Sequence, residues 1–353
     1  MAQLIDISQW SEQRWWNTGG TRNKKIFLNP EDNLLYYFKQ SLKREEKDYK
    51  YEFWSEIIAS ELGKQLGFEV LPYDIAIWGK ELGCLSKSMI NPDKEELVEG
   101  GKYLQAFDNT FNPDDKKLRF QYTFDLIVNT LEAFQLSHYL DQFLEILVFD
   151  ALIGNSDRHQ ENWAFITEHS TLSKSIATIE LDLRHTNLEN APKWVKWLIQ
   201  KTYQREGSQD IKPEIKKMKL LMAKRTRFAP IYDSGCSFGR ELTEERVGKM
   251  LEDENLIQSY VQRGQSEIHS ENGKLSHFDL LKSLLADKDC AETIKNTIKR
   301  ALSRLDRNSL PELINSIDVK LSGEFTGFKI PEPRKRLIYK LIISRADSLS
   351  KLV

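Results

Sequence analysis

Two polar residues with complementary chemistry, Asp157 and Asn162, follow a largely apolar run at positions 143–153. A carboxylate can orient an attacking hydroxyl group and accept its proton, and a carboxamide can hold a metal ion. Phosphoryl transfer can use these two groups five positions apart along one loop, and five positions separate the two residues here. We therefore interpret residues 150–163 as a catalytic loop. The alternative is a helix end capped by Gly154 and followed by a solvated polar turn.

Phosphate-binding chemistry is indicated near the amino terminus by glycines and a lysine in a fixed order. Gly19 and Gly20 precede two apolar, strand-like runs, which are separated by a turn sequence at 29–33. Lys39 ends the second run. A nucleotide can be covered by backbone N–H groups of a glycine-rich loop and contacted by a lysine from the neighbouring strand. The order predicts a nucleotide site, although a glycine pair also marks ordinary turns.

A phosphate-binding lysine needs a carboxylate that fixes its amine, and a neighbouring helix can supply it. Residues 51–66 carry apolar side chains at helical spacing, and Gly67 is a typical helix end. Glu52 and Glu56 both lie on this predicted helix. Either one fits the position, and either one could also be an exposed helix residue.

A second metal-binding carboxylate is expected downstream, on a strand and beside a glycine. Asp233 follows the strand-like sequence at 228–232 and is followed closely by Gly235. Together with Asp157 and Asn162 it could hold one or two Mg²⁺ ions against a triphosphate, because Mg²⁺ prefers a few protein oxygens completed by phosphate and water. The alternative is an aspartate in an ordinary strand-end turn.

Three of these stretches resemble a known family, the HipA-like kinases. The string Asp157-Arg158-His159-x-x-Asn162 resembles their catalytic loop and also that of the phosphatidylinositol kinases. Two further strings resemble their phosphate-binding loop and metal-binding segment, namely Gly19-Gly20-Thr21-Arg22-x-Lys24 and Ala229-Pro230-x-Tyr232-Asp233. The resemblance covers roughly residues 17–240.

The resemblance implies an α+β, two-lobed, protein-kinase-like fold. Residues 1–90 would form a small, β-rich amino-terminal lobe, and residues 91–353 a larger, mostly helical carboxy-terminal lobe. The larger lobe would contain the catalytic loop at 150–163 and the metal-binding segment at 228–240. Asn162 and Asp233 are separated by seventy residues, more than is usual in this family, so residues 168–227 are predicted to be an insertion.

Apolar periodicity predicts the helices of the larger lobe. Two helices are expected at about 121–136 and 139–153, and helical spacing continues through most of 241–353. Residues 91–119 are polar and charged and contain Gly100-Gly101, which predicts a linker or an irregular segment.

The resemblance also implies roles for individual residues. Asp157 would be the catalytic base. Lys39 would grip the α- and β-phosphates, held by Glu56, whose distance from residues 66–68 matches the family better than that of Glu52. Asn162 and Asp233 would bind Mg²⁺. The residues implied to bind ATP are Gly19, Gly20, Thr21, Arg22, Lys24, Lys39 and His159.

The implied activity is that of an ATP- and Mg²⁺-dependent serine/threonine protein kinase with a protein substrate. Several members of the family are toxins controlled by a DNA-binding antitoxin, which makes an antitoxin a candidate partner. One alternative is a phosphoinositide (lipid) kinase, because lipid kinases share the Asp-Arg-His-x-x-Asn string. The other is a nucleotide-binding pseudokinase that acts as a partner- or RNA-binding module.

The predicted insertion is strongly basic. Residues 191–228 contain eleven Lys or Arg and three Asp or Glu, with Trp194, Trp197 and Tyr203 among them. Such a mixture can bind a nucleic-acid backbone and stack its bases, so residues 190–227 are a candidate docking region for an RNA or an acidic partner. The other interpretation, compatible with the first, is an amphipathic helix whose apolar side packs on the lobe.

The composition narrows the class of protein. The chain has 353 residues, of which 40% are apolar and 29% are charged, as is typical of globular proteins. Its three cysteines are far apart and fit no zinc spacing, which favours a reducing compartment. No apolar run approaches the roughly 18 residues of a membrane span, and residues 1–10 lack a signal-like core. The sequence predicts a cytoplasmic protein without a membrane partner.

Overall fold

The structure is a computed structural model that describes residues 2–14, 24–42, 49–112, 115–174, 218–270 and 273–353. Side chains are described in these ranges except at residues 116, 170–174 and 218–224. The glycine loop at 19–22 and most of the basic segment 190–227 lie outside the described residues, so the predictions made for them stay predictions.

The chain divides into two compact units. The first consists of Met1–Asn91, Leu97–Ile166 and Phe228–Val353, and the second of Pro92–Glu96 and Thr167–Arg227. The first unit holds both the amino-terminal sheet and the helices. The lobe boundary expected at residue 90 therefore stays a prediction.

A six-stranded sheet forms the amino-terminal part of the first unit. Its strands are β1 (Leu4–Asp6), β2 (Ser11–Glu12), β3 (Lys24–Leu28), β4 (Leu35–Lys39), β5 (Asp74–Trp78) and β6 (Glu81–Lys87). The order is β1-β5-β6-β4-β3-β2, with β1 and β5 parallel and the other neighbours antiparallel. A small apolar cluster that includes Phe27, Phe38 and Leu85 packs on one face.

Helix α1 (Glu52–Leu66) packs against this sheet. The predicted helical spacing is confirmed, since Trp54, Ile57 and Leu62 are fully buried. Gly67 ends the helix with a φ of 79°, and its N–H donates back to the helix. Glycine adopts this left-handed conformation without strain, which explains why the helix stops there.

The rest of the first unit is mainly helical. Its helices are α2 (Gly100–Phe107), α3 (Phe124–Ala133), α4 (Leu140–Ile153), α5 (Glu244–Glu252), α6 (Glu254–Arg263), α7 (His277–Leu285), α8 (Lys288–Arg304), α9 (Leu310–Ser316) and α10 (Glu332–Ser350). Helix α4 is deeply placed, with nearly every side chain from Phe143 to Ile153 buried. Among the described residues, no helix is long and apolar enough to cross a membrane.

Two smaller sheets complete the described part. Strands β7 (Glu95–Glu99), β8 (Ala164–Lys174) and β9 (Met218–Phe228) form one, and β10 (Gln265–Ser270) and β11 (Gly273–Ser276) form the other. Within the second unit, the side chains of Arg227 and Glu95 are ion-paired at 2.9 Å. The hydroxyl groups of Thr167 and Thr226 lie 3.2 Å apart in the same unit.

The expectation that residues 91–119 form a linker or an irregular segment is wrong. The segment contains β7 and α2. Glycine pairs favour breaks locally, but here the N–H groups of Gly100 and Gly101 donate to the carbonyls of Trp163 and Gln160 at 2.9 and 2.8 Å. A Cβ atom on Gly100 would lie 2.2 Å from the Trp163 ring. Glycine therefore permits a close approach to the candidate loop, and tertiary packing overrides the local preference.

The chain leaves α4 at Gly154, where φ is 70°. The N–H of Gly154 donates to the carbonyl of Asp150 at 2.8 Å. A Cβ atom at this position would lie 2.6 Å from Cζ of Arg345, a buried residue whose guanidinium donates to the carbonyl of Ala151 at 3.1 Å. Both backbone geometry and space therefore favour glycine where the candidate loop begins.

Replacing Gly154 with alanine should lower the free energy of unfolding by more than the same change at Gly79. Both glycines have left-handed backbones, where a side chain costs about 1–2 kcal/mol. A Cβ atom on Gly79 meets nothing within 4 Å, whereas one on Gly154 meets Arg345. We expect a further loss of at least about 1 kcal/mol for Gly154→Ala from overpacking. Urea unfolding measures both, and equal losses would contradict the role given to the Arg345 contact.

Candidate active site

Lys39 places its amine between two carboxylates at the end of β4. Its Nζ atom donates to Oε1 of Glu56 and to Oδ1 of Asp233, the latter at 2.6 Å. The Lys39 side chain is 7% exposed and that of Glu56 is fully buried. Lys39 and Glu56, which are 17 positions apart in the sequence, thus meet Asp233, which lies 194 positions from Lys39, at one nitrogen atom.

Glu56 links Lys39 to the segment that carries Asp233. Its second oxygen, Oε2, accepts a hydrogen bond from the N–H of Ser234 at 2.7 Å. Burial raises the pKa of Glu56; Lys39 acts against this and Asp233 adds to it, so that the net shift is upward. Glu52, the other candidate on α1, lies 4.0 Å from the Arg240 guanidinium.

The backbone around Asp233 has an uncommon geometry. Asp233 has a φ of 54°, in the left-handed region that aspartate and asparagine tolerate better than most residues. Just before it, the N–H of Ile231 donates to the carbonyl of Glu69 at 2.7 Å. Just after it, a Cβ atom on Gly235 would lie 3.0 Å from Oε1 of Glu56. The absence of a side chain at Gly235 therefore lets the segment approach α1.

Arg158 forms a buried, two-point ion pair with Asp150 of α4. Its Nε atom lies 2.9 Å from Oδ2 and its Nη2 atom 3.0 Å from Oδ1. Burial lowers the pKa of Arg158, but the Asp150 carboxylate more than offsets this, so that the net shift is upward. A paired, two-point geometry fixes orientation as well as distance. The loop is therefore folded back onto the helix that precedes it.

The remaining nitrogen of Arg158 joins the loop to the segment after β9 that leads to Asp233. Its Nη1 atom donates to the carbonyl oxygens of Asn162 and Tyr232, at 2.7 and 2.5 Å. Tyr232 directly precedes Asp233. One donor atom therefore holds together the backbones that carry the two proposed metal ligands.

A short segment, residues 234–238, lies between α1 and the candidate loop. On one side, Oγ of Ser55 donates to the carbonyl of Ser237 at 3.2 Å. On the other side, the N–H of Phe238 donates to the carbonyl of Ile153 at 3.1 Å. Together with the bond from Ser234 to Glu56, these contacts tie the segment to both helices.

Asp157 and Asn162 are held by hydrogen bonds within the loop. The Nδ2 atom of Asn162 donates to the carbonyl of Asp157 at 2.5 Å, and the N–H of Asp157 donates to Oδ1 of Asn155 at 3.3 Å. Since the donor end of the Asn162 amide is used inside the loop, its Oδ1 atom is the end suited to a cation. The Asp157 side chain is 33% exposed, so that its carboxylate is accessible from solvent.

Two of the other residues predicted to bind ATP are described. His159 lies in the loop, with its Nε2 atom 4.0 Å from Oδ1 of Asp157. Lys24 is directly paired with Lys39 across β3 and β4, and directly paired residues of antiparallel strands share a face. The remaining four, Gly19, Gly20, Thr21 and Arg22, lie outside the described residues, and the roles of all six stay predictions.

Asp150 is a structural member of the site that the motifs did not indicate. An aspartate within an apolar run is a usable signal, because charged residues are rarely buried without a partner. The spacing gives no indication that the partner is Arg158, since the contact depends on how the loop turns after Gly154.

The chemical types of the side chains at this site fit a metal–nucleotide complex. The Asp233 carboxylate and the Asn162 amide oxygen are the hard oxygen ligands that Mg²⁺ prefers, and Mg²⁺ usually completes its shell with phosphate and water. The Lys39 ammonium group can bind phosphate as a point charge. Within the described ranges, no group of three or more His, Cys, Asp or Glu side chains is placed to hold a metal ion.

Comparison with solved structures shows that the chain has a kinase fold. The crystal structure of the Helicobacter pylori proinflammatory kinase CtkA matches with a TM-score of 0.69 at 18% identity, over 99% of this chain and 96% of that chain. A chain of the Shewanella oneidensis MR-1 toxin–antitoxin complex of HipA, HipB and operator DNA matches with a TM-score of 0.44 at 11% identity, over 95% of this chain and 65% of that chain. No protein-family model matches the sequence, and a search of curated proteins finds no match. The predicted α+β kinase-like architecture is confirmed.

Replacing Arg158 with methionine should lower the free energy of unfolding by about 3–5 kcal/mol, because it leaves the buried Asp150 carboxylate without its partner. Arg307 and Asp347 form a matched pair at the surface, with side chains 51% and 47% exposed. Arg307→Met should cost no more than about 1 kcal/mol. Chemical denaturation of both variants makes the comparison, and similar losses would refute a special role for the buried pair.

Proposed function

We propose that this protein is an ATP- and Mg²⁺-dependent phosphotransferase that phosphorylates serine or threonine hydroxyl groups of a protein substrate. The observation that carries the proposal is the Lys39 amine in contact with the carboxylates of Glu56 and Asp233. Asp157 and Asn162 lie in a loop that Arg158 fastens to the backbone of Tyr232, directly before Asp233. The confirmed kinase fold supports the proposal, and the sequence resemblance supplies the serine/threonine preference.

Lys39 would bind the α- and β-phosphates of ATP, and Glu56 would keep its amine in place. Asp233 contacts the same amine. When ATP binds, its phosphates would therefore replace Asp233 as a partner for part of the positive charge of Lys39. Lys24, on the same face of the sheet, and His159, in the loop, would add contacts to the nucleotide. The glycine loop Gly19-Gly20-Thr21-Arg22 would cover the phosphates from the other side.

Asp157 would orient the acceptor hydroxyl and take its proton. The hydroxyl oxygen forms a bond to the γ-phosphorus while the bond from that phosphorus to the β–γ bridging oxygen breaks, so that the products are a phosphorylated substrate and ADP. Asn162 and Asp233 would hold Mg²⁺, which when bound neutralises charge on the phosphates. Arg158 would order the loop rather than bind phosphate, because its guanidinium is already paired with Asp150.

The partners that we propose are inferred from the sequence alone. The resemblance to HipA-like kinases suggests a toxin role and an antitoxin protein as a partner. The basic residues at 190–227 suggest an RNA or an acidic partner that docks the substrate. Deleting residues 190–226 and finding substrate phosphorylation unchanged would argue against the docking role.

Asp157→Asn should reduce phosphate transfer by about 10²–10⁴-fold, because the amide cannot accept the proton. Transfer of the γ-phosphate from ATP to purified protein substrates measures it, followed by analysis of which amino acid carries the phosphate. Asp347→Asn, a change of the same kind at the surface, should leave the rate unchanged.

Three results would reject the proposal in different ways. Transfer to phosphatidylinositol vesicles but not to protein would favour a lipid kinase. Binding of Mg-ATP by the wild type without transfer to any acceptor would favour a pseudokinase. Transfer that survives in Asp157→Asn would remove Asp157 from the role of base.

Asn162→Ala and Asp233→Asn should each raise the Mg²⁺ concentration that supports half-maximal activity by at least about tenfold, since loss of a ligand should cost no less than loss of its supporting contacts. Asparagine tolerates the left-handed backbone of residue 233, so that this variant should keep its fold. Binding of Mn²⁺ in the presence of ADP, followed by electron paramagnetic resonance, provides a reading without turnover. Asn296→Ala, on the exposed side of α8, is the matched control, and an unchanged metal requirement in the first two variants would exclude these ligands.

A further inference from the structure

A cysteine outside the recognised motifs contacts the proposed catalytic base. The Sγ atom of Cys236 lies 3.3 Å from Oδ2 of Asp157. On its other side, Nη2 of Arg240 lies 2.9 Å from the same sulfur. The backbone of Cys236 is also fixed to the loop, because its carbonyl accepts a hydrogen bond from the N–H of Ser156 at 3.4 Å.

The direction of both hydrogen bonds follows from the chemistry of the groups. A guanidinium has donors and no acceptor, and an ionised carboxylate has acceptors and no donor. A thiol has one weak donor and one weak acceptor. Arg240 must therefore donate to the sulfur of Cys236, and the single thiol proton must be directed to Asp157.

Arg240 is itself held by residues next to and on α1. Its guanidinium carbon lies 3.9 Å from the centroid of the Tyr49 ring, and its Nη1 atom lies 4.0 Å from Oε2 of Glu52. The Glu52 side chain is 1% exposed. A continuous set of contacts thus runs from α1 through Arg240 and the thiol to the Asp157 carboxylate.

The carboxylate of an aspartate has a broad torsional minimum about its last bond. A catalytic base must nevertheless be oriented closely, because small misplacements of a reacting group cost large factors in rate. Asp157 is anchored through its backbone by Asn155, which does not set the rotation of the carboxylate. The thiol hydrogen bond at Oδ2 constrains that rotation.

We infer that Cys236 is a positioning residue for Asp157, and that Arg240 orients the thiol so that its proton points at the carboxylate. The inference rests on the proposed function, in which Asp157 is the base. Cys236 would not exchange a proton with the substrate. It would fix the plane of the group that does.

The kinetic test compares Cys236→Ala with Cys236→Ser. Alanine removes the donor, and kcat for phosphate transfer should fall by about tenfold, with KM for ATP unchanged because Lys39 and its partners are intact. A hydroxyl keeps one donor and one acceptor site, so that serine should stay within about threefold of the wild type. Cys290→Ala, a buried thiol on α8, is the control and should leave kcat unchanged.

A double-mutant cycle tests the part assigned to Arg240. Arg240→Met alone should lower kcat. In the Cys236→Ala background it should cause little further loss, because the effects of two changes that act through one contact are not additive. Independent, multiplicative losses would overturn the link through the sulfur. Equal kcat for Cys236→Ala and the wild type would overturn the inference as a whole.

A spectroscopic test separates this inference from the proposed function. The Raman S–H stretching band of Cys236 is identified by its loss in Cys236→Ser, and it should move to higher wavenumber in Asp157→Ala, where the acceptor is gone. A band that does not move would overturn the inference, whether or not the protein transfers phosphate. A band that moves in a protein without transfer activity would support the contact and reject the proposed function.

Discussion

The candidate site depends on one buried cation. The Arg158 guanidinium is surrounded by the Asp150 carboxylate and by the carbonyls of Asn162 and Tyr232. A charge withdrawn from water is tolerated only when it is paired and its donors are satisfied. The positions of the loop and of the segment before Asp233 are therefore not independent, because moving either one away would leave buried hydrogen-bonding groups without partners.

The buried Arg158–Asp150 pair also fixes one end of the loop to α4. Helix α4 supplies Asp150 and then the turn at Gly154, so that the loop starts and is fastened on the same element. Asn155 adds a second tie, since its Nδ2 atom donates to Oδ1 of Asp150 at 3.0 Å. The proposed base, Asp157, stands between these fixed points and is the more exposed group. A buried structural charge and an accessible chemical one thus lie one residue apart.

Much of this arrangement could be predicted from the sequence. The spacing of apolar residues and Gly67 predicted α1 to within one residue of its observed ends. The order of Lys39, Asp157, Asn162 and Asp233, together with the family resemblance, indicated the kinase-like fold. Local pattern could not choose between Glu52 and Glu56 by itself, because both lie on the side of the helix that is buried. The helix at Gly100 escaped prediction for a related reason. Gly100 permits a close contact with Trp163. A contact between residues far apart in the sequence produces no periodic pattern from which it could be predicted.

The segment at 234–238 limits how far α1 can move away from α4. It is hydrogen-bonded to Ser55 and Glu56 on one side and to Ile153 on the other. Rotating the amino-terminal sheet with α1 away from α4 would therefore stretch one of these two sets of bonds. The segment is therefore a bridge between α1 and α4, and any rotation of one helix away from the other costs the free energy of the hydrogen bonds that are lost.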